Sequence, residues 1–277
     1  MFKKKEIAPV LFLVFLLLIL STVFFLARKN TLSPLRSSEK KTLTVHVTTD
    51  MHAGGKKKRD YSSDRPGNIV YPREWEEYYR KMLDTPGDVY MTLGDNISNF
   101  DHETRMYKGI ALANEEKRKK DAGAVILHTI GNHDHREKFG EIWNEESPLP
   151  ERGYYRSYDF EKWRIIILDS EELPGGTISP AQFEWLRGEL NMDKKVLIAL
   201  HRPILEYDLK TPLGGWGNTL LEIVGAHKNI KYVLMGHYHI VLNETSMLDA
   251  YPETKFVFVQ ALTLKDHKGK FVTLTLD

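Results

Sequence analysis

Short apolar runs alternate with amphipathic stretches along most of this chain, and most of the runs end at an aspartate, an asparagine or a histidine. Residues 42–49 are β-branched and predict a strand that stops at Asp50. Residues 72–83 place Trp75, Tyr78, Tyr79 and Met82 at helical spacing behind Pro72, which suits a first turn. A second strand is expected over 88–93 and ends at Gly94-Asp95, a charged helix over 101–120, and a buried strand over 124–130 before Gly131-Asn132-His133. Residues 154–160 and 164–169 read as an antiparallel pair. Ser179 and Pro180 then open a helix to Leu190, as N-cap and first helical residue. Further strands are predicted over 195–200, ending at His201, and over 232–235, ending at Gly236-His237, with a helix over 219–226 between them. Two last strands fall near 255–261 and 270–276.

This alternation predicts a layered α/β domain over residues 42–277. In such domains ligands sit beyond the carboxyl ends of the strands, where these polar residues cluster. The N-terminus follows a different pattern. Residues 7–27 carry no charge, and their only polar members are Ser21 and Thr22. A helix of that length covers roughly 30 Å, the hydrocarbon thickness of a bilayer. A cleaved signal peptide has a shorter apolar core and a small-residue cleavage site, whereas this run meets Arg28-Lys29 directly. Residues 1–29 are therefore expected to be a retained transmembrane anchor in the lipid bilayer, and the polar residues 30–41 a linker. Lys3, Lys4 and Lys5 favour a cytoplasmic N-terminus and an exported domain, although Arg28, Lys29, Arg36, Lys40 and Lys41 crowd the other flank.

Composition narrows the chemistry. The 277 residues hold 39 basic and 38 acidic side chains, a balance that shows no broad footprint for nucleic acid. The absence of cysteine excludes disulfides, thiolate metal sites and a cysteine nucleophile. One local exception to the charge balance is Lys56-Lys57-Lys58-Arg59, four residues after His52. It reads either as a solvated loop or as an attractor of anionic substrate or acidic lipid. Gly214-Gly215-Trp216-Gly217 reads as a mobile rim near His201 or a plain connection with a packed Trp.

What remains is a string of candidate ligands: Asp50-Met51-His52, Gly94-Asp95-Asn96, Gly131-Asn132-His133-Asp134, His201 and Gly236-His237-Tyr238-His239. Asp50 and His52, two apart on leaving a strand, can grip one metal from two directions. Gly94 allows a sharp turn, and Asp95 is the candidate to bridge two cations. Asn132 offers a carbonyl oxygen, and His201, His237 and His239 offer nitrogen. This donor set suits Mn, Fe, Zn or Ni. Two such ions about 3.5–4 Å apart would activate water and neutralise charge in a phosphoryl displacement. His133, beside a ligand, is placed to donate a proton to the leaving alkoxide. His46, His102, His128, His227 and His267 are read as surface or strand histidines without a role, and His135 as solvent-facing or a support to the site.

The order Asp-x-His, Gly-Asp, Gly-Asn-His-Asp, a lone His and Gly-His-x-His resembles the signature of the calcineurin-like metallophosphoesterase superfamily, over residues 42–277. The segment 179–186 is similar to one in its bacterial phosphodiesterase branch. The resemblance implies two packed β-sheets flanked by helices. It also implies one metal held by Asp50, His52, Asp95 and His239, a second held by Asp95, Asn132, His201 and His237, and His133 as catalytic histidine. Gly94-Asp95-Asn96-Ile97-Ser98 lacks the Asp-Arg-Gly continuation of Ser/Thr protein phosphatases. Ser98 also replaces the tyrosine that marks purple acid phosphatases. Gly-Asn-His followed by Asp134 is closer to the class III cyclic-nucleotide phosphodiesterase-like enzymes. The expected function is hydrolysis of phosphodiesters or small phosphorylated molecules by a membrane-anchored, dinuclear-metal enzyme. The alternatives are a phosphomonoesterase or pyrophosphatase on a nucleotide or lipid-linked substrate, and a tethered metal-binding scaffold without turnover.

Overall fold

A computed structural model describes residues 42–54, 74–98, 103–143, 153–206, 211–239, 245–246, 250–262 and 269–277. The apolar run 7–27, the linker 30–41, the basic run 56–59 and the histidines at 102 and 267 lie outside the described residues. Among the described residues, no helix is long and apolar enough to cross a membrane.

Two mixed β-sheets form the centre. In the first, β1 (Leu43–Thr48), β2 (Val89–Leu93) and β3 (Val125–Thr129) run parallel, and β10 (Val272–Leu276) closes the edge antiparallel to β1. The second contains β4 (Arg156–Asp159), β5 (Trp163–Ile167), β6 (Lys195–Ala199), β7 (Ile230–Met235), β8 (Thr245–Ser246) and β9 (Lys255–Phe258), in the order β4-β5-β6-β7-β9-β8. Its four inner strands are parallel, and β4 and β8 pair antiparallel at the edges.

Period-two alternation sorts the side chains of β5 and β6 between two apolar clusters. Ile165, Ile167, Leu197 and Ala199 join Leu43, Val45 and Val47 in a core shared by the two sheets. Their neighbours Ile166, Leu168, Val196 and Ile198 face the opposite way, into a second cluster with Phe183, Leu186, Leu220 and Val224. The last four belong to helices α3 (Pro180–Glu189) and α4 (Gly214–Ala226). On the first sheet, α1 (Trp75–Asp84) buries Trp75, Tyr79, Met82 and Leu83, one helical stripe, and it packs beside α2 (Glu103–Lys120).

Local chemistry accounts for several boundaries. Ser179 caps α3 as expected, its hydroxyl oxygen accepting from the Gln182 N–H at 3.1 Å. α4, by contrast, begins at Gly214, so residues 214–217 are its first turn and not a connection, although Trp216 is packed. Glycine is a poor helix former, but Trp216 packs on the second cluster and the Leu213 N–H donates to the Ile204 carbonyl at 2.8 Å, and this tertiary anchoring prevails. The remaining predicted elements are present, with ends that shift by a few residues.

Candidate metal centre

The carboxyl ends of β1, β2, β3, β6 and β7 converge, and the backbone locks them together. The amides of Asp50, His52 and Ala53 donate to the carbonyls of Gly94, Asp95 and Asn96, each at 3.0 Å, which zips the turn after β1 to the turn after β2. His201 ties in the other sheet, with its Nδ1 2.7 Å from the Leu93 carbonyl oxygen. Gly94 has φ +86°, and a Cβ there would lie 2.6 Å from the His201 ring, so glycine is required on both counts.

Among the described residues, five non-glycine residues have positive φ: Asp50, His52, Asp95, His237 and His239. All five are candidate ligands. Left-handed backbone at such residues costs on the order of 1 kcal/mol each and persists where the surroundings over-determine it. Asp50 and His52 do reach one group of donor atoms, as expected of a pair two apart on leaving a strand. A left-handed turn aims them, and that turn is held by the bonds to residues 94–96.

The structure brings all eight singled-out residues together. Asp50, His52, Asp95 and His239 form one group of converging donor atoms, and Asp95, His201 and His237 form a second, with Asp95 common to both. Asn132 joins the second group, its Oδ1 3.0 Å from His201 Nε2. The His133 ring stands edge-on to His52 at 4.9 Å between centroids, and its backbone N–H donates to Asp95 Oδ1 at 2.8 Å.

Asp50 is fixed by donors on every side: the Thr49 hydroxyl at 2.7 Å, the His237 amide at 3.0 Å and His239 Nε2 at 2.9 Å. Burial raises its pKa, but the charge and hydrogen bond of His239, with His201 and His52 nearby, outweigh burial and hold it well below the ordinary range. Asp95 moves the other way, well above that range, because burial and then the charges of Asp50 and Asp134 act on it. Burial takes His201 down to about 3 and His237 down to about 4. His52 is also lowered, by burial and by His239, whereas Asp50 raises His239 against the effect of burial.

These groups fit divalent metal on chemical grounds. The Leu93 carbonyl can only accept, so Nδ1 of His201 carries the proton of a neutral ring and Nε2 is a bare lone pair. That lone pair faces Asp95 Oδ1 at 3.3 Å and Asn132 Oδ1 at 3.0 Å. Nitrogen and oxygen lone pairs converging in a buried site repel unless a cation lies among them.

Several supporting residues lie outside the candidate ligand set. Asp134, buried, accepts from the amides of Gly131, Asn96 and Ile97, the Asn96 side chain and the Tyr107 hydroxyl, and so joins the turn after β2 to the turn after β3. Burial pushes its carboxyl up to about 6 despite these donors. Arg202, next to His201, forms a two-pronged pair with Glu171, and Arg136 pairs with buried Asp169. His135 is partly buried, and its amide donates to the Tyr107 hydroxyl at 2.9 Å.

The family model for calcineurin-like phosphoesterase matches residues 43–241. A Fibrobacter succinogenes protein named "Probable cyclic nucleotide phosphodiesterase" is 28% identical over 211 residues, 73% of this chain and 74% of that one. The Haemophilus influenzae 3',5'-cyclic adenosine monophosphate phosphodiesterase CpdA is 27% identical over 41% of this chain and 43% of its own length. Among solved structures, a dimetal phosphatase from Danio rerio superposes with a TM-score of 0.64 at 16% identity, covering 84% of this chain and 92% of that one, which shows a common fold.

Proposed function

The chain belongs to the calcineurin-like phosphoesterase family of metal-dependent phosphoester hydrolases, and from that premise we propose that it is a phosphodiesterase acting on small phosphodiesters of the cyclic-nucleotide class, tethered to a membrane by residues 7–27. The observation that carries the catalytic reading is the bare Nε2 of His201 directed at the Asp95 carboxylate. The names of the phosphodiesterase relatives support the substrate class.

In this reading Asp50, His52, Asp95 and His239 hold one ion, and Asp95, Asn132, His201 and His237 hold the other. When bound, two divalent ions supply positive charge against the phosphoryl oxygens and lower the pKa of an attacking water. The chain's own residues do the rest. Asp95 is shared and cannot move, because the His133 amide and the β1 turn fix it. The Nδ1–H of His201 donates a hydrogen bond to the Leu93 carbonyl, which orients the ring with Nε2 inward. His133 donates a proton to the leaving alkoxide oxygen.

The test compares bis-p-nitrophenyl phosphate, 3',5'-cyclic AMP and p-nitrophenyl phosphate, with added Mn(II). Wild type should favour the diesters, and Asp95→Asn should be inactive. His133→Asn should lose about 10²–10⁴ in kcat on cyclic AMP and less on the aryl diester, whose leaving group needs no proton. Preference for the monoester would favour the phosphomonoesterase alternative. Mn(II) binding with no turnover would favour a scaffold.

A further inference from the structure

Behind the first sheet's carboxyl edge, a file of buried polar side chains runs from the helical layer to the metal-site turns. Tyr79 on α1 lies 2.6 Å from Asn114 Oδ1 on α2, and Asn114 Nδ2 lies 2.9 Å from His128 Nε2 on β3. His128 Nδ1 is 2.7 Å from the Thr92 hydroxyl on β2, and that hydroxyl is 2.6 Å from Asn96 Oδ1. Asn96 Nδ2 in turn contacts the Thr129 carbonyl at 3.0 Å and Asp134 Oδ2 at 2.9 Å. Tyr79, Thr92, Asn96, Asn114 and His128 are all at most 2% exposed.

The direction of every bond in this file follows from one end. A backbone carbonyl can only accept, so the Asn96 amide nitrogen faces Thr129 and its oxygen faces Thr92. An amide oxygen cannot donate, so Thr92 spends its single proton on Asn96. His128 must then donate to Thr92 from Nδ1, which leaves Nε2 bare for the Asn114 amide. Burial lowers the His128 pKa to about 3, which agrees with a ring holding one proton. Asn114 oxygen, finally, accepts from Tyr79. No atom in the file is left unpaired, and no second arrangement satisfies Asn96.

We propose that His128, held as its Nδ1–H tautomer, is a positioning residue of the metal centre, acting through Thr92 and Asn96 on Asp134 to keep the Asp95 turn in register with the Asn132–His133 turn. Asp134 is the joint: the same carboxylate binds both turns. The proposal rests on the metal-centre reading above.

The tautomer is read directly by 15N shifts of the full-length chain labelled in histidine, with the His128 signals identified by their loss in His128→Asn. A protonated Nδ1 and a bare Nε2 are expected, and the reverse pattern overturns the proposal. Metal affinity is then measured as free Mn(II) by electron paramagnetic resonance. Thr92→Val should weaken binding about tenfold, in the range seen when outer-shell partners of ligands are removed, and Thr92→Ser, which keeps the hydroxyl, should restore it. His128→Asn places an amide nitrogen near the Nδ1 position and should bind more tightly than His128→Gln, which serves only the Nε2 side. Equal affinity in wild type and Thr92→Val overturns the proposal alone. Absence of Mn(II) binding by wild type overturns it together with the metal reading.

Discussion

Gly131→Ala would probe the closest approach in the site. A Cβ on residue 131 would stand 2.2 Å from the Asp95 amide nitrogen, 2.3 Å from its Oδ1 and 3.0 Å from its Cα. Ordinary contact is about 3.5 Å, so the turns after β2 and β3 would have to part by about 1 Å. Two of the three clashing atoms are backbone, and the third is the carboxylate shared by both ligand groups, so no flexible side chain can absorb the overlap. Parting the turns also breaks the 2.8 Å bond from the His133 amide to Asp95. Overpacking of this kind costs about 1–3 kcal/mol, which at roughly 2–4 °C per kcal/mol for a domain of this size lowers the metal-free Tm by about 2–12 °C. The catalytic effect should be larger in proportion. A misplacement of about 1 Å at the reacting centre costs on the order of 10²-fold. The assay is kcat/KM for bis-p-nitrophenyl phosphate at saturating Mn(II), beside the metal-free melting curve. A folded variant within about threefold of wild type in kcat/KM would refute the claim that the register of these two turns sets the site.

Other expectations follow from burial and from the N-terminus. His128 has a folded pKa of about 3, pushed down by burial, so the folded state refuses a proton that the unfolded chain accepts near 6.5. Stability is therefore lost as pH falls below 6.5, by about 2 kcal/mol at pH 5. Asp95 and Asp134 are raised and act in the opposite sense, so the measurement is a difference. The stability advantage of metal-free wild type over His128→Asn should shrink by about 2 kcal/mol between pH 7 and pH 5, and an unchanged gap in denaturant titrations would contradict the burial argument. At the N-terminus, a C-terminal alkaline phosphatase fusion should be active outside the cytoplasm and should fractionate with membranes until residues 1–29 are removed. A fusion that is inactive, or that is released without that deletion, would argue against the anchor or its orientation.

The role of His128 marks the limit of what could be read in advance. As a lone histidine on a strand it has no local signature, and the sequence reading assigned it none. Its meaning depends on Thr92, Asn114 and Tyr79, which stand 36, 14 and 49 positions away and meet it only through β2–β3 pairing and helix packing. Asp134 was visible as part of Gly131-Asn132-His133-Asp134 and as a marker of the branch, whereas in the fold it receives five donors from three segments. The first turn of α4 was misread for a related reason. Glycine propensity argues against a helix at 214–217, and Trp216 packing overrides it.

By itself, the sequence determined the strand order along the chain, the buried face of α1, the cap of α3, and the eight residues that converge at the strand ends. Each of these follows from short-range facts: period-two and helical spacing, a serine cap before proline, and donor types placed just after apolar runs. Only the tertiary structure decided how those residues point. The left-handed backbone at Asp50, His52, Asp95, His237 and His239 is unfavourable locally, and contacts between the turns after β1, β2 and β7 sustain it. The inward lone pair of His201 likewise requires strands from both sheets to meet, and the one-way hydrogen-bond file requires β2 and β3 to pair and α1 and α2 to pack behind them. They are properties of distance in space, and spacing along the chain does not encode them.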